Sequence, residues 1–268
     1  MKIKFFLFLY LSISISYAQT LENSVKSISN LPDSLQVDSM IRLSRLNALK
    51  NNSELGIDQA IWALRRAQHN GFADLIPKAR FYIARNYNLS NKIDSAILHY
   101  SLGLKELENT KTKEWKIHFI HGLGLNYRKK GDFKSSIAVQ LEAIQEFERK
   151  SDSAAVAQMY TEVGYTHDRM KDFEKALFYH RKALRFLSIK DESSKNFIYG
   201  RIAIAFDDLG KYDSAHYYNF KVLKFEEAYG DSANVGVIAS NIGNTFLKQK
   251  EWEKAKAFLK RATRLNLI

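Results

Sequence analysis

Residues 157–187 read AQMYTEVGYTHDRMKDFEKALFYHRKALRFL, and this stretch decides the fold. Met159, Tyr160, Val163, Gly164 and His167 mark one side of a first helix. Lys171-Asp172 is a polar break. Phe173, Ala176, Leu177, Tyr179, His180, Ala183, Leu184 and Leu187 then follow the i, i+3, i+4, i+7 spacing of a second helix. The stretch recurs along the chain. Gly164 has counterparts in Ala84, Gly124, Ala203 and Gly243, about 40 residues apart. Twelve residues after each come Ala96, Ser136, Ala176, Ala215 and Ala255. Seven further on stand Gly103, Ala143, Ala183, Val222 and Ala262. A fixed period of this length means stacked repeats, each too small to bury its own apolar face. Alternation of the kind that makes strands is nowhere sustained, so the chain reads as all-α.

The small residues have a packing reason. Two antiparallel helices approach closely only where the facing side chains are small. Tyr127, Phe133, Phe173, Phe206, Tyr212, Phe246 and Trp252 are then expected to fill the gaps between successive pairs. The break between helices recurs as Lys130-Gly131-Asp132, Leu209-Gly210-Lys211 and Lys250-Glu251. Glycine accepts positive φ at a helix C-terminus with little steric cost. That account does not reach Lys171 and Lys250.

This pattern resembles the tetratricopeptide repeat. The small residue late in each first helix is followed three residues on by Tyr87, Tyr127, His167, Phe206 or Phe246, and each second helix has two alanine-like positions. The resemblance implies a TPR-like α-solenoid of about six helical hairpins forming a right-handed superhelix. Units are expected at about 38–73, 77–114, 117–153, 157–193, 196–233 and 236–268, after a lead-in over 19–37. The first unit is degenerate, carried by Ala48, Ala60 and Ala67. The family's usual unit is shorter and closes with a proline that is missing here. Its early tryptophan is replaced by Arg80, Ile120, Tyr160, Tyr199 and Ala239. The longer unit implies extended helices or longer turns between repeats. Pro32 and Pro77 both fall near expected helix boundaries, and no Gly/Ser-rich hinge separates domains.

The N-terminus has the layout of a secretory signal peptide. Met1-Lys2-Ile3-Lys4 is basic, Phe5 to Ile15 is apolar apart from Ser12 and Ser14, and Ser16-Tyr17-Ala18 ends in small residues at the positions a signal peptidase reads. The apolar run is shorter than the ~20 residues a spanning helix needs. Cleavage after Ala18 is expected, with the mature chain periplasmic or secreted and without a membrane span. Removing Lys2 and Lys4 with the leader lowers the net charge from +12 to +10. Acidic residues are interspersed, as in Lys171-Asp172-Phe173-Glu174-Lys175, and no block of like charge marks a nucleic-acid site. Nucleic acid is therefore not an expected partner.

No constellation carries catalysis. The chain has no cysteine, which removes disulfides, thiolate metal sites, cysteine nucleophiles and a lipoprotein anchor together. His118 and His121 share a helix face but lack the further ligands a zinc site needs. Gly122-Leu123-Gly124 is only part of a dinucleotide fingerprint and sits in a helical pattern. Asp207 and Asp208 are sequence neighbours that point about 100° apart, which is no acid/base pair. Asn51-Asn52-Ser53 matches the glycosylation triplet but reads as a polar turn. The reading is no enzyme, no metal and no cofactor.

What remains is a surface. In the resembling family a concave groove lined by first helices binds extended peptides or partner helices. The matching positions here are Phe81, Arg85 and Asn88; His121 and Arg128; Thr161, Tyr165 and Asp168; Arg201, Ile204 and Asp207; Asn241 and Asn244. Amides can read a peptide backbone, arginines a carboxylate, and rings an apolar side chain. The Lys-then-Asn clamp that some members use for a C-terminal carboxylate does not recur: Phe81 with Arg85, His121 with Leu125, and Ser240 with Asn244 stand there. The final unit ends within its second helix at Leu265-Asn266-Leu267-Ile268. This leaves Phe258, Leu259, Ala262 and Leu265 expected to face water, as in a self-associating end or the front part of a longer protein. A leader followed by long-period repeats resembles the extracytoplasmic sensor region of certain bacterial histidine kinases and helix-turn-helix regulators. That resemblance implies the sensory or interaction part of a signal-transduction protein. The alternative is a free-standing periplasmic or secreted adaptor for envelope assembly.

Overall fold

The computed structural model describes residues 20–265 apart from Ile189 and Asp231. The expected leader, 1–18, and the last three residues lie outside the described residues. Helix α1 covers 20–28. Six helix pairs follow: α2 (Asp33–Leu49) with α3 (Ser53–His69), α4 (Leu75–Leu89) with α5 (Ile93–Glu106), α6 (Lys116–Lys130) with α7 (Phe133–Arg149), α8 (Ser153–Arg169) with α9 (Phe173–Phe186), α10 (Glu192–Asp208) with α11 (Tyr212–Tyr229), and α12 (Ser232–Lys248) with α13 (Trp252–Leu265). Among the described residues there is no strand. The chain divides into two compact units, Met1–Ser136 and Ile137–Ile268, with the boundary inside α7.

One backbone device makes every hairpin. Asn51, Asn91, Gly131, Lys171, Gly210 and Lys250 all take left-handed φ, between 56° and 83°. In each turn the next residue's N–H bonds back five residues: Asn52 to Asn47, Lys92 to Tyr87, Asp132 to Tyr127, Asp172 to His167, Lys211 to Phe206, and Glu251 to Phe246. The left-handed residue's own N–H bonds to the carbonyl three before it, as in Lys171 to Asp168 at 3.0 Å. This is the Schellman arrangement, which satisfies the carbonyls a helix end would otherwise leave open. Lysine and asparagine therefore do at four turns what glycine does at two. Where aspartate follows, it caps the second helix: Asp132 accepts from the Ser135 N–H at 3.0 Å, and Asp172 from that of Lys175.

The same device corrects the register of the first hairpin. Ala48, Ala60 and Ala67 have the right spacing but lie one helical turn late. Ser44 and Gly56 occupy the crossing point, with the Ser44 hydroxyl donating to the Gly56 carbonyl at 2.6 Å. Ser136 makes the mirror contact in the third hairpin, donating to the Gly124 carbonyl at 3.0 Å. Read from Ser44, Gly56 and Ala63, the first unit keeps the period of the others. The first helices α2, α8, α10 and α12 start four or five residues ahead of the unit boundary read from the sequence, and α4 and α6 one or two, because the small residues mark the crossing point and not the helix start. The extra length of the repeat lies partly in helices of 17 or 18 residues and partly in the linker between α5 and α6, which holds two 3₁₀ turns.

In the first unit, α5 and α6 interlock. A Cβ on Gly103 would fall 2.2 Å from the Phe119 ring, and one on Gly122 would fall 2.5 Å from the Tyr100 ring. Each helix thus presents a glycine to the other's aromatic. Phe81 packs edge-on against Tyr100, Trp115 and Phe119, closing the cluster. Arg80, in the slot of the missing tryptophan, donates to Glu106 at 2.6 Å.

In the second unit Ala176, Ala183, Ala203, Ala215, Ala255 and Ala262 are buried between helices. His167 stacks on Tyr179, Phe206 on Tyr218, and Phe246 on Phe258. Two expectations fail here. Trp252 is 61% exposed, since no helix of the described residues lies over the first turn of α13. The apolar side of α13 is partly covered: Ala262 is buried, Phe258 rests on Phe220 and Phe246, and Leu259 sits against Gly243.

Candidate functional site

The first helices of the second unit are linked side chain to side chain. The Arg201 guanidinium lies over the Tyr165 ring at 4.5 Å and over the Phe197 ring at 5.2 Å, joining α10 to α8. Lys248 pairs with Asp207 and lies 3.9 Å from Asp208, joining α12 to α10. The Asp207 carboxylate raises the Lys248 ammonium above its ordinary range. Asp168 turns toward its own hairpin, where His180 Nε2 lies 3.0 Å from its carboxylate. His180 is buried, its ring over Gly164.

Ahead of these links, α8 and α10 border a cleft of about 490 Å³. Gln158, Thr161 and Glu162 line it from α8, and Ser194, Phe197 and Ile198 from α10. Thr161 is held by its own backbone, its hydroxyl donating to the Ala157 carbonyl at 2.8 Å. Phe197 is 56% exposed, an apolar ring at the mouth of a partly polar slot. Ile204 is exposed one turn beyond Arg201, and Asn241 and Asn244 stand half-buried and exposed on α12.

The expected positions in the first unit have other employment. Phe81 is half-buried in the aromatic cluster, Arg128 is buried, and Asn88 accepts from Lys129 at 2.6 Å. Arg85 and His121 are half-buried. Of the expected positions Thr161 lines the open cleft, and the Tyr165–Arg201 pair stands next to it through Phe197. Sequence reading missed Gln158, Glu162 and Phe197, which lie within one turn of the chosen residues. The signal was present: Phe197, Arg201 and Ile204 have i, i+4, i+7 spacing on one face of α10.

A sequence family described as tetratricopeptide repeat matches residues 118–188. No curated protein matches the chain. Several solved structures are similar. The Signal Transduction ATPase with Numerous Domains (STAND) protein with a tetratricopeptide repeat sensor from Pyrococcus horikoshii is 11% identical with a TM-score of 0.74, over 94% of this chain and 39% of that one. Aspartyl phosphate phosphatase F from Bacillus subtilis is 16% identical with a TM-score of 0.64, over 91% and 63%. NprR in complex with its cognate peptide NprX is 15% identical with a TM-score of 0.57, over 94% and 73%. At these identities the likeness establishes the fold alone.

Proposed function

We propose that this chain, whose residues 118–188 match the tetratricopeptide repeat family, is a non-catalytic module that binds a peptide or protein segment on the first-helix face of its second unit. The observation that carries the reading is the cleft between α8 and α10, with Phe197 at its mouth and Arg201 held over Tyr165 beside it. An extended segment would set an apolar side chain on Phe197 and its backbone amides on Gln158 and Thr161. Arg201 is pre-positioned by two rings, so little side-chain freedom is lost when it meets a carboxylate or a backbone carbonyl. NprR is named with a cognate peptide, and its fold likeness makes peptide recognition the natural first test.

We further propose that the module is exported and serves as the sensory or interaction part of a bacterial signal-transduction protein. The basic, apolar and small-residue order of residues 1–18 supports export. Intact mass of the protein recovered from the envelope fraction tests it: a chain beginning at Gln19 is expected, and a retained Met1 refutes cleavage. Peptide-array binding tests the face. Phe197→Ala/Arg201→Ala protein should bind selected peptides at least about tenfold more weakly than wild type, as expected for loss of an aromatic and an arginine anchor. Unchanged affinity would place recognition elsewhere.

A further inference from the structure

A second cavity, of about 510 Å³, opens between the start of α10 and the end of α11, on residues the peptide reading does not use. Tyr199, Phe225 and Tyr229 form its apolar walls. Lys195, Lys221 and Lys224 converge on it. None of the three has a carboxylate within ion-pair distance among the described residues, whereas Lys175, Lys211, Lys248 and Lys254 of the same unit do. Glu192, the acid on the lining, reaches none of them. Glu226, beside it, is already engaged, accepting from Asn196 at 2.6 Å and from Asn234 at 3.1 Å. Lys221 is fixed in place, its ammonium 5.0 Å from the Tyr199 ring centre and 4.8 Å from that of Tyr217.

None of the three ammonium groups has a carboxylate partner among the described residues, and an arriving carboxylate would supply that missing charge. Aromatic walls favour an apolar body over a bare ion, and the volume falls within the range of about 300–1,000 Å³ usual for small-ligand sites. The geometry points to a binding site for an amphipathic carboxylate, its acyl or aromatic body on Tyr199, Phe225 and Tyr229 and its carboxylate among Lys195, Lys221 and Lys224. A bare anion would leave the rings uncovered, and a neutral apolar molecule would leave the lysines uncompensated. Both halves of the ligand are therefore needed.

Calorimetric titration of the whole chain with octanoate, 1-octanol and acetate separates the two halves. Octanoate is expected to bind saturably, with 1-octanol and acetate each at least about tenfold weaker, and rising salt should weaken octanoate because its carboxylate contact is electrostatic. Lys221→Ala/Lys224→Ala should weaken octanoate about tenfold or more, and so should Tyr229→Ala, whose 76% exposure makes the variant safe for folding. Phe197→Ala/Arg201→Ala should leave it unchanged, which keeps this site distinct from the peptide face. Octanoate that fails to saturate at millimolar concentration overturns the proposal. So does 1-octanol binding as tightly as octanoate, or affinity indifferent to the lysine pair.

Discussion

Lys171 and Lys250 hold the left-handed conformation that glycine holds at positions 131 and 210. A side chain there costs about 1–2 kcal/mol, and glycine's greater freedom in the unfolded chain offsets about 0.5–1 of it. Lys171→Gly is therefore expected to stabilise the protein by up to about 1 kcal/mol, read from the shift in urea midpoint. A midpoint that falls would mean the lysine side chain earns its place by contacts. Gly103 presents the opposite case. A methyl there collides with the Phe119 ring, so Gly103→Ala should destabilise by about 1–3 kcal/mol through overpacking. Neither effect was legible from residue type. The turn lysines look like ordinary solvent-facing charge, and Gly122-Leu123-Gly124 looks like half of a nucleotide loop until the Tyr100 ring facing Gly122 is known.

At the level of the helix pair, the alanine and glycine beat was readable because close crossing tolerates nothing larger. Ala176, Ala203, Ala215 and Ala255 are all fully buried, and Ala176→Leu should cost about 1–3 kcal/mol with a lowered Tm. The first hairpin was misplaced because spacing alone cannot separate two sets of small residues four apart. Ser44 carries a hydroxyl at the crossing point and passes for a polar surface residue until its bond to the Gly56 carbonyl is seen. The candidate face was half legible. Helical periodicity identifies which residues share a side of α8 and α10. It does not reveal that Asp168 and Asp207 are engaged by His180 and Lys248, nor that the opening lies nearer Phe197.

Across the molecule, acid should be the weak side of its stability. Burial pushes the His99 and His167 imidazoles below their ordinary range. The folded chain then favours neutral rings, while the unfolded chain takes up protons from about pH 6.5 downward. Their contribution is complete above that value and is lost as pH falls through it toward the lowered folded values. Thermal melts should show Tm declining from pH 7 to 5, by this linkage. His167→Phe places in that slot the aromatic found at Phe206 and Phe246, and should make the decline shallower. An unchanged slope would assign the acid sensitivity to other groups. The interlock of α5 and α6 has its own consequence. Each ring is seated in the opposite helix, so the middle of the segment joining them, between the buried Leu107 and the Trp115 of the aromatic cluster, serves as tether more than as clamp. A single protease nick at Lys111 should accordingly leave the two fragments bound, and their reassembly from separately made pieces offers a route to a split reporter.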